Sequence, residues 1–405
     1  MPDWRSKRAP GLSRARTSGG SNSRAADMTV PGYAAVPPHR FIALDSLRGI
    51  AALGVVLHHI PASNGPGSLA LFRNGGLFVD FFFVLSGFVI AASYGERLAS
   101  GFSLRRFALL RIGRVWPLHA VVCCVGLGLE LAAWQFGNQG LSSLAPFGGA
   151  HSLGHFFTAF FLLDGWIPGW TNFYSRAGWS ISVELPLYAA AALAFRYGRG
   201  AMAALCLLGA LAVAAELAWL DWPVATNAMQ RGFAGFVLGM GCWFAHRRLP
   251  GWTAGTATLL EFIALTALFA VIALAPGAVP SLSVLLPAAL VLLIFARDQG
   301  AIGTLLGTAP FVWLGRISYS IYMVHALIVS RLLEALLLLS RRLGLSIIGF
   351  VVRDGIAYKQ LALAPLPSTL IQLAIVALVL LGAHFAWRLV EEPARQTSRR
   401  LAARL

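Results

Sequence analysis

Charged residues are scarce in this chain of 405 residues: they make up 12%, whereas hydrophobic residues make up 58%. Soluble globular proteins carry about 25% charged residues, so the composition excludes an ordinary soluble domain and indicates a polytopic membrane protein. The 32 Lys and Arg residues exceed the 16 Asp and Glu residues. Because they are spread between apolar segments and not gathered in a soluble domain, the excess does not indicate nucleic-acid binding.

Cysteine and the common catalytic motifs are scarce too. The four cysteines (Cys123, Cys124, Cys206 and Cys242) lie in apolar segments without metal-ligand spacing. They therefore predict neither a disulfide framework nor a zinc site, and we expect no metal. The sequence contains no GxSxG, P-loop or Rossmann glycine pattern, and no internal repeat is visible. Any chemistry must come from polar residues within the apolar segments.

The apolar segments predict an all-α membrane protein with about ten transmembrane helices and no soluble domain. The predicted spans are about Phe41–Ile60, Leu77–Tyr94, Val115–Trp134, Trp179–Phe195, Ala201–Leu220, Gly232–Ala245, Trp252–Ala275, Leu282–Phe295, Phe311–Leu339 and Ser368–Trp387. We predict a disordered basic tail at residues 1–40, one membrane domain at residues 41–395 and a second basic tail at residues 396–405. The patch His155–Leu163 is too short to span, and a re-entrant or interfacial piece is expected there.

Basic residues predict the topology. They follow the second, fourth, sixth and eighth spans and the last one: Arg97, Arg105, Arg106, Arg111, Arg114, Arg196, Arg199, Arg247, Arg248, Arg297, Arg395, Arg399, Arg400 and Arg404. Ten spans place all of these on the side of the basic N-terminal tail, which the positive-inside rule makes cytoplasmic, together with both termini. The connection after the ninth span is the exception, since it holds Arg341, Arg342, Arg353 and Lys359.

The first span carries a polar stripe. At roughly 100° per residue, Arg48 and His59 lie about 20° apart around a helix and about 16 Å apart along it. Asp45 lies about 40° from His59 around the helix, on the side opposite Arg48. His58, in contrast, is rotated roughly 80° from Arg48. A charged side chain at a helix centre in a membrane costs at least ~2.5 kcal/mol, so such a stripe favours a functional reading. The alternative is a boundary ion pair between Asp45 and Arg48 and a packing histidine at position 59.

Other polar residues stand in or beside the predicted spans. Arg111 and Arg114 are three apart, so they share one helix face, where they suit a phosphate-bearing ligand or act as positive-inside anchors. Glu184 in WSISVE suits either catalysis or a structural ion pair. His325 shares a face with Ser318 and Tyr322, as an active group or as a packed histidine.

Taken in order, five motifs resemble the acyltransferase 3 family of integral membrane acyltransferases: LDSLRGIAALGVVLHH, FVDFFFVLSGFVI, RRFALLRIGRVWPLH, WSISVELPLY and RISYSIYMVH. The resemblance covers residues 41–395. It implies about ten spans in a bacterial inner membrane. It also implies transfer of an acyl group, often acetyl, from cytoplasmic acyl-CoA to a carbohydrate or glycolipid acceptor. The family's Arg-(ten residues)-His motif matches Arg48 and His59, and its Arg-x-x-Arg motif matches Arg111 and Arg114.

The stripe and the resemblance together suggest a mechanism. His59 is expected to act as general base on the acceptor hydroxyl or as a transient acyl carrier. Arg48, beside Asp45, is expected to orient the site or to stabilise developing negative charge, with Glu184 as a further catalytic candidate. Arg111 and Arg114 are expected to bind the phosphates of coenzyme A.

Two other classes of protein fit parts of the sequence. A transporter or glycan-export component could use the same stripe as an ion or proton pathway, although no pair of Gly/Pro-broken helices recurs in the two halves. A non-catalytic scaffold explains the hydrophobicity but not the alignment of Asp45, Arg48 and His59. The sequence does not indicate the acceptor, the acyl chain or the oligomeric state.

Overall fold

The computed structural model describes residues 41–136, 146–167, 174–217, 227–275, 282–353 and 356–405, and the predicted tail at residues 1–40 lies outside them. The described residues are mostly helical. The helices are α1 (Ile42–His58), α2 (Ala70–Arg73), α3 (Phe78–Ala99), α4 (Leu104–Phe136), α5 (Leu153–Phe160), α6 (Gly178–Tyr197), α7 (Arg199–Leu217), α8 (Asn227–His246), α9 (Ala254–Leu274), α10 (Leu282–Phe295), α11 (Ala301–Leu306), α12 (Ala309–Arg316), α13 (Ser318–Leu343), α14 (Pro365–Ala386) and α15 (Glu392–Arg404). Two strands, β1 (Ile348–Arg353) and β2 (Ile356–Leu361), pair antiparallel.

Within these ranges, six helical stretches are long and apolar enough to cross a membrane. They are Gly75–Ala99, Leu104–Phe136, Gly178–Tyr197, Ala254–Leu274, Ser318–Leu343 and Pro365–Arg404. Shorter apolar stretches occupy Arg199–Ala214 and Ser283–Phe295, and α1 has only 17 residues. The chain is therefore a multi-pass membrane protein, but these lengths do not confirm a count of ten spans.

Helix α1 lies at the centre of the fold, against α3, α12 and α13. Glycine allows the closest of these approaches: a Cβ atom on Gly49 would lie 2.7 Å from the Leu314 carbonyl carbon, and one on Gly315 would lie 2.5 Å from the Asp45 carbonyl oxygen. Small residues let membrane helices meet at their backbones. This crossing brings the first half of α1, with Asp45 and Arg48, onto the junction between α12 and α13.

Helices α3 and α8 meet in the same way. A Cβ atom on Gly87 would lie 1.9 Å from the Phe236 carbonyl oxygen, and one on Gly239 would lie 1.8 Å from the Val84 carbonyl oxygen. The two glycines thus sit reciprocally against the opposite backbone, and neither helix has room for any side chain there. The crossing fixes α3, which carries Asp80 and Ser86, against α8, which carries Arg231.

Two local features differ from the prediction, and a third was not predicted. The expected single span Phe311–Leu339 is two helices, because the chain breaks at Ile317 between α12 and α13. The predicted span Val115–Trp134 belongs to a longer helix that begins at Leu104, so Arg111 and Arg114, which precede that span, lie two to three turns inside α4. A π-helical turn, Trp387–Glu391, joins α14 to α15 and turns the buried carboxylate of Glu391 toward the hydroxyl of Ser320, 2.6 Å away.

The prediction of an all-α chain is wrong in the connection after α13, where β1 and β2 form a hairpin. Ile348 of β1 and Leu361 of β2 are opposite each other in the hairpin, and both are buried. The backbone of Leu361 also binds the loop after α1, through its N–H to Pro61 and its carbonyl to the N–H of Ser63. The hairpin therefore anchors the chain just beyond His59.

Candidate functional site

Arg48 is held by three partners at the α1–α12 crossing. Its Nη2 atom lies 3.0 Å from Asp45 Oδ1, and its Nε atom donates to Ser318 Oγ at 2.8 Å. A longer contact of 3.4 Å joins Nη2 to the Gly315 carbonyl. Both charged side chains remain partly exposed, at 23% for Arg48 and 28% for Asp45. The ion pair between Asp45 and Arg48, which the sequence analysis gave as the alternative to a functional stripe, is present, and Arg48 also lines a cavity.

His59 caps the other end of α1 and faces a second histidine. The ring centroids of His59 and His325 are 4.8 Å apart, with the rings steeply inclined to each other. Nδ1 of His59 lies 2.9 Å from the Val55 carbonyl, and Nδ1 of His325 lies 2.7 Å from the Tyr322 carbonyl. A carbonyl oxygen only accepts, so each Nδ1 carries a hydrogen and each neutral ring keeps its lone pair on Nε2. Nε2 of His325 is buried without a hydrogen-bond partner among the described residues.

His58 points in another direction, as its position on the helix predicts. Its Nδ1 atom lies 2.9 Å from the Arg73 carbonyl and 3.2 Å from the Phe72 carbonyl, at the end of α2. Its side chain also leaves little room for a Cβ atom at Gly75 or Gly76, which would lie 3.0 Å from the His58 Cβ atom and 3.4 Å from its Nε2 atom, respectively. His58 therefore ties α1 to the following loop, whereas His59 turns toward α13.

Three cavities lie along α1. The first, here called the arginine cavity, has about 1200 Å³ of empty space and is lined by five arginines and three carboxylate residues: Arg48, Arg114, Arg316, Arg395, Arg399, Asp45, Glu391 and Glu392. Glu391 and Glu392 are engaged with Ser320 and Arg395. The remaining excess of guanidinium groups suits a ligand that carries phosphate.

The second, the central cavity, has about 800 Å³ of empty space. Its walls are largely apolar side chains from α3, α4 and α6, and its polar members are Arg48, Arg111, Arg114, Ser86, Ser180, Glu184, Tyr188, Ser318, Tyr319 and Tyr322. Glu184 accepts hydrogen bonds from Ser86 and Tyr188 in this cavity. The structure thus brings four predicted site residues, Arg48, Arg111, Arg114 and Glu184, to one space.

Arg111 and Arg114 do not act as an equivalent pair. Arg111 lines the central cavity, where its Nη2 atom donates to the Tyr94 hydroxyl at 2.8 Å and its guanidinium lies 4.7 Å from the centre of that ring. Arg114 lines both the central cavity and the arginine cavity. Arg114 is therefore the member of the motif that is placed to reach a phosphate at the arginine cavity.

The third, the histidine cavity, has about 940 Å³ of empty space and contains His58, His59 and His325. Three arginines that the sequence analysis missed, Arg73, Arg176 and Arg231, line it as well. Arg231 is pinned by Asp80, with its Nε atom 3.0 Å from Oδ1 and its Nη2 atom 2.8 Å from Oδ2. Arg73 ends α2, Arg176 lies in the loop before α6 and Arg231 lies in α8, so no spacing rule links them. The available signal was the predicted topology, which puts these three arginines on the side opposite the cytoplasm, where the positive-inside rule disfavours arginine.

Shared side chains connect the cavities. Arg48, Arg114 and Tyr319 line both the arginine and the central cavity, and Val79 and Tyr322 line both the central and the histidine cavity. The Tyr322 hydroxyl lies 2.7 Å from Ser180 Oγ, and its ring packs edge-on against Phe82 at 5.6 Å. The three cavities are therefore adjacent along α1, from the arginine-lined end to the histidine pair.

The described residues contain no group of three or more His, Cys, Asp or Glu side chains placed to hold a metal ion. The polar groups along the cavities are guanidinium groups, carboxylates, hydroxyls and imidazoles. Such a set can bind a phosphate-bearing molecule at one end and remove a proton at the other.

Comparison with known proteins adds a family and two partial relatives. Residues 41–388 match the family model described as an acyltransferase domain. Protein 2 in picA locus of Rhizobium radiobacter is 39% identical over 103 residues, which cover 23% of this chain and 52% of that protein. The putative peptidoglycan O-acetyltransferase YrhL of Bacillus subtilis (strain 168) is 26% identical over 334 residues, which cover 71% of this chain and 48% of that protein. The chain thus spans about half the length of these curated relatives. No solved structure matches it significantly.

Proposed function

Because the chain belongs to the acyltransferase domain family, we propose that it moves an acyl group, in the first instance acetyl, from acyl-CoA to a hydroxyl of a cell-envelope or exported carbohydrate. The observation that carries the proposal is the series of cavities from the arginine cluster to the histidine pair. In the same proposal about ten spans lie in a bacterial inner membrane, both termini are cytoplasmic, and the arginine cavity opens to the cytoplasm.

The arginine cavity is proposed to hold the phosphates of coenzyme A. Arg114 and the exposed Arg316 and Arg399 offer planar donors that can bind phosphate oxygens in pairs. The thioester end of the donor then extends toward the central cavity, whose apolar walls suit an acyl chain. Arg48 lines both the arginine and the central cavity, so we assign it to orienting the donor as its thioester end enters the central cavity.

His59 is proposed to serve the acceptor. Its Nε2 lone pair takes the proton of the acceptor hydroxyl as the oxygen attacks the acyl carbon. The C–S bond breaks, an ester forms, and the proton returns to the departing thiolate, so that one coenzyme A thiol leaves for each ester made. Arg48 and His59 are separated by roughly 16 Å along α1. The acyl group must therefore reach the histidine cavity on the extended donor through the central cavity, and there it is transferred either directly or by way of His59 as acyl carrier.

Coenzyme A release tests the enzyme class. Purified full-length protein in nanodiscs is given radiolabelled acetyl-CoA with and without a glycan fraction from the producing cells. We expect free thiol to appear in step with label on the glycan, and little of either without acceptor. A transporter or export component, which could use the same cavities, needs no thioester; label that crosses the bilayer without thiol release would support that class and contradict ours.

Replacing Arg114 by glutamine tests the donor site. Loss of one charged donor to a phosphate should raise the KM for acetyl-CoA about tenfold while kcat changes little, because the phosphates do not react. Arg400→Gln is the matched control, since Arg400 is exposed on α15 at the same end and does not line the arginine cavity. Steady-state kinetics with varied acetyl-CoA measure the effect. An unchanged KM in Arg114→Gln, or an equal rise in both variants, would contradict the assignment.

A further inference from the structure

We infer that the acceptor carries an oxyanion, a carboxylate or a phosphate, close to the hydroxyl that is acylated. This inference rests on the proposed function and names the substrate class that the histidine cavity suits. It derives from the charge lining that cavity, where Arg73, Arg176 and Arg231 stand around His59 and no carboxylate appears among the described lining residues.

Two of the three arginines have their charge available. Arg73 and Arg176 are exposed, and among the described residues neither side chain has an acidic partner or a hydrogen bond. Arg176 lies close enough to His58, His59 and His325 to interact electrostatically with all three. An anion bound between Arg73 and Arg176 would therefore sit beside the proposed base.

Arg231 has a different role. Its guanidinium group is paired with Asp80, whose side chain is fully buried, and lies 5.4 Å from the centre of the Trp179 ring. This ion pair forms a fixed, nearly neutral wall of the cavity. Arg231 therefore has an acidic partner, whereas Arg73 and Arg176 have none among the described residues.

The location of these residues strengthens the argument. In a membrane protein with the proposed topology, arginine is disfavoured on the side opposite the cytoplasm, and each translocated arginine works against insertion. Arg73 is the last residue of α2, Arg176 precedes α6 and Arg231 lies near the start of α8, yet all three line one cavity. Anchoring in lipid does not require such convergence, whereas binding of an anion next to His59 does.

Equilibrium binding tests the inference without any turnover. The full chain is placed in nanodiscs of phosphatidylcholine, which has no net charge, and is titrated with three radiolabelled probes: methyl glucoside, methyl glucuronide and methyl glucoside 6-phosphate. We expect both charged probes to bind at least about tenfold more tightly than methyl glucoside, with binding that weakens as salt is raised. The stronger of the two identifies carboxylate or phosphate as the preferred anion.

The arginines are tested in the same assay. The double variant Arg73→Gln/Arg176→Gln should lose the preference for the charged probes and leave the binding of methyl glucoside unchanged. Arg342→Gln is the matched control, because Arg342 is exposed at the end of α13 and does not line the histidine cavity. Thermal unfolding of each variant shows whether the fold is retained.

The outcomes separate this inference from the proposed function. Charged probes that bind in the absence of any acyl transfer would support the inference and count against the function. Acyl transfer to methyl glucoside as efficient as transfer to its charged analogues, with equal affinities, would overturn the inference and leave the function standing. Equal losses in the double variant and in Arg342→Gln would also overturn it, since the arginines would then act only through the general charge of that surface.

Discussion

Acyl transfer is expected to fall about 10²- to 10⁴-fold when His59 is replaced by alanine, because a positioned general base contributes that much. The loss should appear in kcat, with the KM for acetyl-CoA little changed, since the donor phosphates are assigned to the far end of α1. Radiolabel reaching a glycan acceptor from acetyl-CoA, in membranes with matched amounts of each variant, measures the effect. A chemically silent His59 would leave the rate within a few fold of the wild type.

His58→Ala is the matched control, because it removes the neighbouring imidazole on the same helix. His58 binds the backbone carbonyls of Phe72 and Arg73, so its loss should loosen the loop and lower the rate only several fold. The opposite result, with His58→Ala inactive and His59→Ala active, would refute the assignment. Full activity in both would move the proton acceptor to His325 or Glu184. Label retained on quenched wild-type protein and absent from His59→Ala would favour an acyl carrier over direct transfer.

Folded protein is expected to be lost when a side chain is introduced at the α3–α8 crossing. In Gly87→Val, the new Cβ atom would start 1.9 Å from the Phe236 carbonyl oxygen, and in Gly239→Val 1.8 Å from the Val84 carbonyl oxygen. The obstructing atoms are backbone, so neither can rotate away and the helices must separate. Overpacking typically costs about 1–3 kcal/mol, and the cost here should be on the order of 3 kcal/mol or more. Detergent-extracted protein should aggregate or unfold at a much lower temperature.

Gly241→Ala provides the comparison for that experiment. Gly241 is in the same helix as Gly239, but a Cβ atom there meets nothing within 4 Å. Alanine also favours a helix over glycine by roughly 1 kcal/mol, so this variant should be as stable as the wild type or slightly more stable. Size-exclusion profiles and thermal unfolding of the purified proteins measure the difference. Equal stability of Gly239→Val and Gly241→Ala would disprove the backbone contact.

Helical spacing was sufficient to predict how α1 is arranged. Intervals of three and eleven residues placed Asp45, Arg48 and His59 on one side of the helix, and in the structure Asp45 pairs with Arg48 while His59 turns to His325. Spacing is informative here because a helix repeats by a fixed angle. The apolar stretches located eight helices to within five residues at each end, namely α1, α3, α6, α7, α8, α9, α10 and α14, and the motif order identified the acyltransferase family.

Features that depend on contacts distant in sequence could not be predicted in this way. The break at Ile317 lies inside the predicted span Phe311–Leu339. It is next to the crossing of α1 and α12, where Gly49 and Gly315 let the two backbones approach each other. The hairpin β1–β2 pairs with the loop after α1, more than 280 residues earlier. Arg73 and Arg176 meet in one cavity only because α1, α2 and α6 are packed around it. The sequence contains each residue but no local pattern that joins them.

The row of imidazoles at the end of α1 also bears on whether protons can pass along this part of the protein. The ring centroids of His58 and His59 are 5.0 Å apart, and those of His59 and His325 are 4.8 Å apart. Rings at such spacing suit proton transfer from one ring to the next. Such conduction requires each ring to accept at one nitrogen and release at the other. Here each Nδ1–H is held by a backbone carbonyl, an oxygen too weakly basic to take that proton onward. A proton gained at Nε2 must leave from Nε2, so this arrangement disfavours the passage of protons along the row.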